Sequence, residues 1–136
     1  MGGQEPTRKD MLAPAAEVEL TGRIIGCAIA VHRELGPGFL ESVYQRALAI
    51  ELRLAGIDFE SEKVIHVSYR GQCVATHRVD LIVGGRIVVE TKSVDRLDEA
   101  HVAQVLSYLR ATGLRVGLLL NFRAVHLRCG IRRVVL

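Results

Sequence analysis

The sequence predicts an α+β or α/β fold, a central mixed β-sheet flanked by helices, on three observations. Apolar residues recur at helical spacing twice before Gly56. Residues 78–93, RVDLIVGGRIVVETKS, alternate side-chain type around two glycines. A further helical stripe over 98–112 leads into the unbroken apolar run LRVGLLLNF over 114–122. Periods of 3.6 and of 2 in that order give helices, strands, helix and strand, and such elements bury their apolar sides by layering helices on a sheet.

The elements follow in chain order. Residues 1–14 mix Gly, Pro and both charge signs without periodicity, so a disordered tail is expected there. That leaves 15–136 as one domain, a length suited to a single core. From Glu17 onward, Leu20, Ile24, Cys27, Ala28, Val31 and Leu35 fall on one helical face, and Gly36-Pro37-Gly38 ends the helix. A second helix over 39–55 is expected to bury Leu40, Val43, Tyr44, Ala47, Leu48 and Leu54 and to stop at Gly56. Strands at 63–69 and 73–83, joined at Arg70-Gly71-Gln72, and a third at 86–93 form an antiparallel meander. The third helix, over 98–112, has Asp95 or Asp98 as its cap and Gly113 as its stop. Its apolar stripe is Val102, Val105, Leu106 and Leu109, while His101, Gln104 and Tyr108 lie on another face, aimed across the charged side of the sheet. The run over 114–122 reads as a strand covered on both faces, and 125–128 and 131–135 as short final strands.

The register of the hairpin decides whether its charges gather. A two-residue loop of Gly84 and Gly85 sets Val83 opposite Arg86 and turns Glu90 onto the apolar face. A three-residue loop that includes Arg86 sets Val83 opposite Ile87, Leu81 opposite Val89, Asp80 opposite Glu90 and Arg78 opposite Lys92. Only the second register gives one apolar and one charged face, so an odd loop or a bulge is expected at the glycines. Facing carboxylates, with Cβ atoms about 4.5–5.5 Å apart, destabilise a sheet unless a cation compensates. Lys92, Arg78 or a divalent metal can do so. Hard oxygen donors with no local His or Cys favour Mg²⁺ or Mn²⁺ over Zn²⁺. A solvated sheet face with two salt bridges is the alternative reading of the same residues.

Composition narrows the function classes. A hydrophobic share of 49% with 24% charged residues is globular. No apolar run approaches the roughly 18 residues of a membrane span. No signal-peptide stretch opens the chain, and Cys27, Cys73 and Cys129 are scattered without metal-ligand spacing, which points to a reducing cytoplasm. His32, His66, His77, His101 and His126 are dispersed as well, and no Ser-His-Asp constellation is present. The net charge of +3 hides an asymmetry: residues 100–136 hold six arginines and no Asp or Glu. Arginine suits bidentate phosphate contacts, although six dispersed cations also describe an ordinary solvated face.

The string Gly38-Phe39-Leu40-Glu41-Ser42-Val43-Tyr44 resembles the motif of the GxxExxY protein family. The octapeptide VHRELGPG before it, Asp80, Glu90-Thr91-Lys92, Gln104 with Tyr108 and Leu109, and GLLLNF over 117–122 resemble that family in order and spacing, so the likeness spans about residues 20–136. It implies a PD-(D/E)XK (restriction-endonuclease-like) core of helix, three antiparallel strands, helix and strand, which matches the order read from periodicity. By the same resemblance, Asp80 and Glu90 are metal-binding carboxylates, and the backbone carbonyl of Thr91 is a further ligand. Lys92 positions or helps deprotonate the attacking water and offsets phosphate charge. Glu41 is an additional acid and a candidate ligand from the second helix, and Gln104 is the glutamine of the following helix. Two positions depart from the pattern: Val79 replaces the proline of the superfamily name, and Thr91 is more polar than the residue expected there. The implied function is a nuclease dependent on Mg²⁺ or Mn²⁺ that hydrolyses nucleic-acid phosphodiesters. The alternative is a non-catalytic nucleic-acid-binding or assembly module that retains the fold. Nucleic acid is the expected partner, DNA ahead of RNA, with no membrane and with a homodimer left open.

Overall fold

The computed structural model describes residues 15–136, and the tail expected over 1–14 lies outside the described residues. Helices α1 (Ala15–Leu35) and α2 (Glu41–Leu54) precede strands β1 (Phe59–Tyr69), β2 (Gln72–Val83) and β3 (Ile87–Lys92). Helix α3 (Glu99–Thr112), strand β4 (Val116–Asn121), a 3₁₀ turn (Leu127–Gly130) and strand β5 (Ile131–Val135) follow. The five strands lie side by side in chain order. β1, β2 and β3 pair antiparallel, β3 and β4 pair parallel through the α3 crossover, and β5 returns antiparallel to β4. The sheet is therefore mixed, as the sequence predicts.

Apolar side chains cover both sheet faces. Leu81, Val83, Ile87, Val89, Leu118 and Leu120 pack with Ile24, Val31, Tyr44, Leu48 and Leu52 of α1 and α2. Ile82, Val88 and Leu119 pack with Val105, Tyr108 and Leu109 of α3. Each fully buried Leu, Ile or Val contributes about 1.5–3 kcal/mol relative to exposure. The approach of α3 depends on Gly117, where a Cβ would run into Cγ1 of Val105.

Helix α2 buries a different set from the one expected. Tyr44, Leu48 and Leu52, spaced by four, form the buried line together with Ala49, while Leu40, Val43 and Leu54 are exposed. Leu54 lies two residues, about 200°, beyond Leu52 and so faces solvent. The strand expected at 125–128 is absent. The chain must reverse there between antiparallel neighbours, and Leu127–Gly130 forms the 3₁₀ turn, with the Cys129 amide donating to the His126 carbonyl at 3.0 Å. At α3, Asp98 is the cap: its carboxylate accepts from the amides of Ala100 and His101 at 3.0 and 3.2 Å. The His101 ring in turn accepts from the Asp98 amide at 3.0 Å, completing a capping box. His101 is thereby committed to the helix end rather than to the charged sheet face. Gly113 closes the helix at φ 75°, in the left-handed region expected of a C-terminal glycine.

Candidate active site at the fork of the hairpin

The hairpin has the three-residue loop. Val83 pairs with Ile87, Ile82 with Val88 and Leu81 with Val89, and Gly84 and Gly85 both sit at positive φ. Beyond Leu81 the ladder between β2 and β3 stops. On its other side β2 also loses a rung, because Ser61 pairs with Leu81 and Lys63 with Val79 while Glu62, at φ 51°, pairs with nothing opposite Asp80. Val79 and Leu81 belong to opposite apolar clusters, whereas a regular strand holds i and i+2 on one face. The backbone of β2 is therefore turned at Asp80. The expected apolar face of Val79, Leu81 and Val83 fails at Val79 for this reason. The opposite face is not charged along its length either, since α3 covers Ile82 and Val88.

Side chains replace the missing rungs. The Asp80 amide donates to Oε2 of Glu90 at 2.7 Å. The Thr91 amide and hydroxyl each donate to Oδ2 of Asp80 at 2.9 Å. From α2, Gln45 donates to the Asp80 carbonyl at 3.3 Å. Asp80 and Glu90 are thus joined through main-chain amides, not as the direct cross-strand pair expected. The polar Thr91 also finds its reason here, as the residue that holds the Asp80 carboxylate.

The fork is electrostatically crowded. Glu90 is only 4% exposed. Burial, then the neighbouring Asp80 charge, pushes its carboxyl up to about 7, against the Asp80 amide and the Lys92 ammonium, which favour the ionised form. Burial raises the Asp80 carboxyl too, opposed by the Thr91 bonds and by Lys92. Lys92 lies 4.0 Å from Oε1 of Glu90 and donates to Oε1 of Gln104 at 3.0 Å. Lys92, not Arg78, is the cation whose charge reaches both acids.

Two helices converge on this point. Gln104 comes from α3 and Glu41 from the first turn of α2, where Oε1 of Glu41 accepts from the Ser93 amide at 3.4 Å. The charge of Glu41 raises both Asp80 and Glu90. Glu41 does not complete a three-acid cage: no group of three or more His, Cys, Asp or Glu that could hold a metal occurs among the described residues. Tyr108, expected on a polar face, is buried under the site; burial and then the Glu90 and Asp80 charges raise its phenol.

The hydrogen bonds of three supporting residues are beyond a reading by periodicity. Gln45 is the first, through its bond to Asp80. The hydroxyl of Tyr44 accepts from the Phe39 amide at 3.1 Å and donates to the Gly36 carbonyl at 2.5 Å, with its ring stacked on Phe122 at 4.5 Å. Asn121 clamps the chain after β3, accepting from the Val94 amide at 3.1 Å and donating to its carbonyl at 2.8 Å. A single Asn at the end of a wholly apolar strand is a legible signal, because a buried amide needs partners.

A hard cation fits the donors present. Among the described residues, Oδ1 of Asp80 and Oε1 of Glu90 accept no hydrogen bond. The Thr91 carbonyl leaves its strand on the same edge as the Thr91 amide, toward Asp80. Two carboxylates and a carbonyl suit Mg²⁺ or Mn²⁺, which keep several waters and need no closed protein cage.

A family model described as the PD-(D/E)XK nuclease superfamily matches residues 18–134. No curated protein and no solved structure matches the chain.

Proposed function

The chain belongs to the PD-(D/E)XK nuclease superfamily, and from that premise we propose that it is a metal-dependent nuclease of the GxxExxY type. Its domain over 15–136 hydrolyses phosphodiester bonds of nucleic acid, DNA ahead of RNA. The observation that carries this reading is the pair of raised carboxyls, Asp80 and Glu90, held in the fork beside Lys92. Accepting from the Asp80 and Thr91 amides requires oxygen atoms but not two charges, and a cation at that point would relieve their repulsion.

Asp80, Glu90 and the Thr91 carbonyl would hold Mg²⁺ or Mn²⁺. When bound, such an ion polarises a phosphoryl oxygen and lowers the pKa of a coordinated water. The chain's own residues do the rest. Thr91 fixes the Asp80 carboxylate, and the Asp80 amide fixes that of Glu90. Lys92, held by Gln104, directs its ammonium at the attacking water and at a non-bridging phosphate oxygen, where negative charge develops. Glu41 adds negative field beside the two ligands and holds the Ser93 amide. The water oxygen bonds to phosphorus, the ester bond to the departing sugar oxygen breaks, and that oxygen takes a proton while the water proton passes to solvent. The products are one phosphate-terminated and one hydroxyl-terminated strand.

We infer a cytoplasmic location, supported by the three free thiols Cys27, Cys73 and Cys129. No helix among the described residues is long and apolar enough to cross a membrane. Selectivity comes from substrate structure, a partner or a homodimer. The test is cleavage of a nucleic-acid panel with Mg²⁺, Mn²⁺ or EDTA, beside Asp80→Ala and Glu90→Ala. Metal-dependent cleavage lost in both variants is expected, and binding without such cleavage transfers the chain to the non-catalytic nucleic-acid-binding reading.

A further inference from the structure

Beside the fork, on the α2 side, lies an open cavity of about 380 Å³ lined by Phe39, Leu40, Glu41, Ser93 and Arg123. Two of the carboxylate-site residues, Glu41 and Ser93, form its inner wall. Its outer wall is apolar and accessible: Phe39 is 48% and Leu40 77% exposed. The chain has three Phe, three Tyr and no Trp, and Phe39 is the one of these rings that is half-exposed in the lining of this cavity.

Phe39 is also held firmly. Its amide donates to the Tyr44 hydroxyl at 3.1 Å, its carbonyl accepts from Oγ of Ser93 at 2.8 Å, and its ring meets that of Tyr44 edge-on at 6.2 Å. The ring is thus a fixed platform with one accessible side. Arg123, across the cavity, bonds at 2.8 Å to Asp95, a carboxylate almost wholly in solvent. An ion pair so exposed is worth little, and a phosphate can displace the carboxylate at small cost.

We propose that this cavity receives the nucleotide next to the scissile phosphate, its base stacked on Phe39 and its phosphate on Arg123, and that the substrate is therefore an unpaired strand. The base in a duplex is already covered on both sides and has no free face for Phe39, whereas stacking on aromatic side chains is the general means of holding single strands. Leu40 covers the base edge. This rests on the nuclease reading, of which it specifies the substrate class.

The experiment measures binding of the full chain to a fluorescent single-stranded DNA oligonucleotide and to a blunt duplex of the same sequence, in EDTA so that neither is cut. A second single strand carries 2-aminopurine to report stacking. The native chain is expected to prefer the single strand by roughly tenfold and to quench the aminopurine. Phe39→Ala should erase both effects in a protein that remains folded at the assay temperature, Phe39→Trp should keep them, and Arg123→Ala should lower the salt dependence by about one phosphate contact. Equal affinity for duplex and single strand, or a Phe39→Ala protein that retains the preference, overturns the proposal. Phe39-dependent binding without cleavage when Mg²⁺ is restored supports the cavity and sinks the nuclease reading alone.

Discussion

The main-chain amide of Asp80 donates to the side chain of Glu90 at 2.7 Å, so one acid is positioned by the backbone of the other. Neither carboxylate can be moved without disturbing the strand that carries its partner. A test of either charge therefore needs a shape-preserving substitution that keeps these bonds.

Glu90→Gln tests the electrostatics without metal. The Glu90 carboxyl is raised from 4.5 to about 7. A raised acid binds its proton more tightly folded than unfolded, so its favourable contribution is complete below about pH 4.5 and is lost as pH rises to about 7. The native chain in EDTA should thus lose stability across that window relative to Glu90→Gln, whose amide oxygen can still accept from Asp80. The difference is about 3 kcal/mol at most. Thermal melts of both proteins at pH 4.5 and pH 8 measure it, and parallel pH profiles contradict it.

Lys92→Ala and Glu90→Gln should fail differently. On the proposed mechanism the lysine acts on water and phosphate, so its removal should abolish cleavage while Mn²⁺ binding stays near native. On the same mechanism the amide in place of Glu90 should remove a charged ligand and weaken metal binding itself. Calorimetric titration with Mn²⁺ distinguishes them, and equal loss of affinity in both variants means that Lys92 has been given the wrong role.

Tyr44→Phe keeps the ring stacked on Phe122 but deletes the hydroxyl between Phe39 and Gly36. A part-buried amide and carbonyl then lose a partner, at a cost of about 1 kcal/mol. Cleavage should fall as well, because the freed loop leads directly into Glu41 at the start of α2. Urea denaturation with an activity assay on the folded fraction checks both parts.

Gly117→Ala should destabilise by about 1–3 kcal/mol, since the new methyl meets Val105 where α3 crosses β4. Combining it with Val105→Ala should recover part of that loss. A double-mutant cycle with no coupling would falsify the close approach.

Much of this was decided by the sequence alone. Side chains in a strand alternate with period two, so Glu90 and Lys92 fall on the same side, and the odd loop at Gly84, Gly85 and Arg86 was legible from that alternation although both faces are apolar beyond the site. Helix ends were legible at Asp98 and Gly113, because capping and positive φ are properties of the local chain. Glu41 was named only by resemblance to a family, whereas helical spacing had already placed Gln104 on the face of α3 aimed across the sheet. The tertiary structure decided what depends on distant partners. Val79 leaves the face of Leu81 because the Asp80 carbonyl is taken by Gln45, 35 residues away, and the Asp80 amide by Glu90. His101 serves its helix end, and Leu40 and Leu54 face outward because the contact line of α2 runs through Tyr44, Leu48 and Leu52. Periodicity states that a helix or strand has two faces. Only packing selects which residues at the edge of a face are covered, and only long-range hydrogen bonds determine where a strand stops obeying its period.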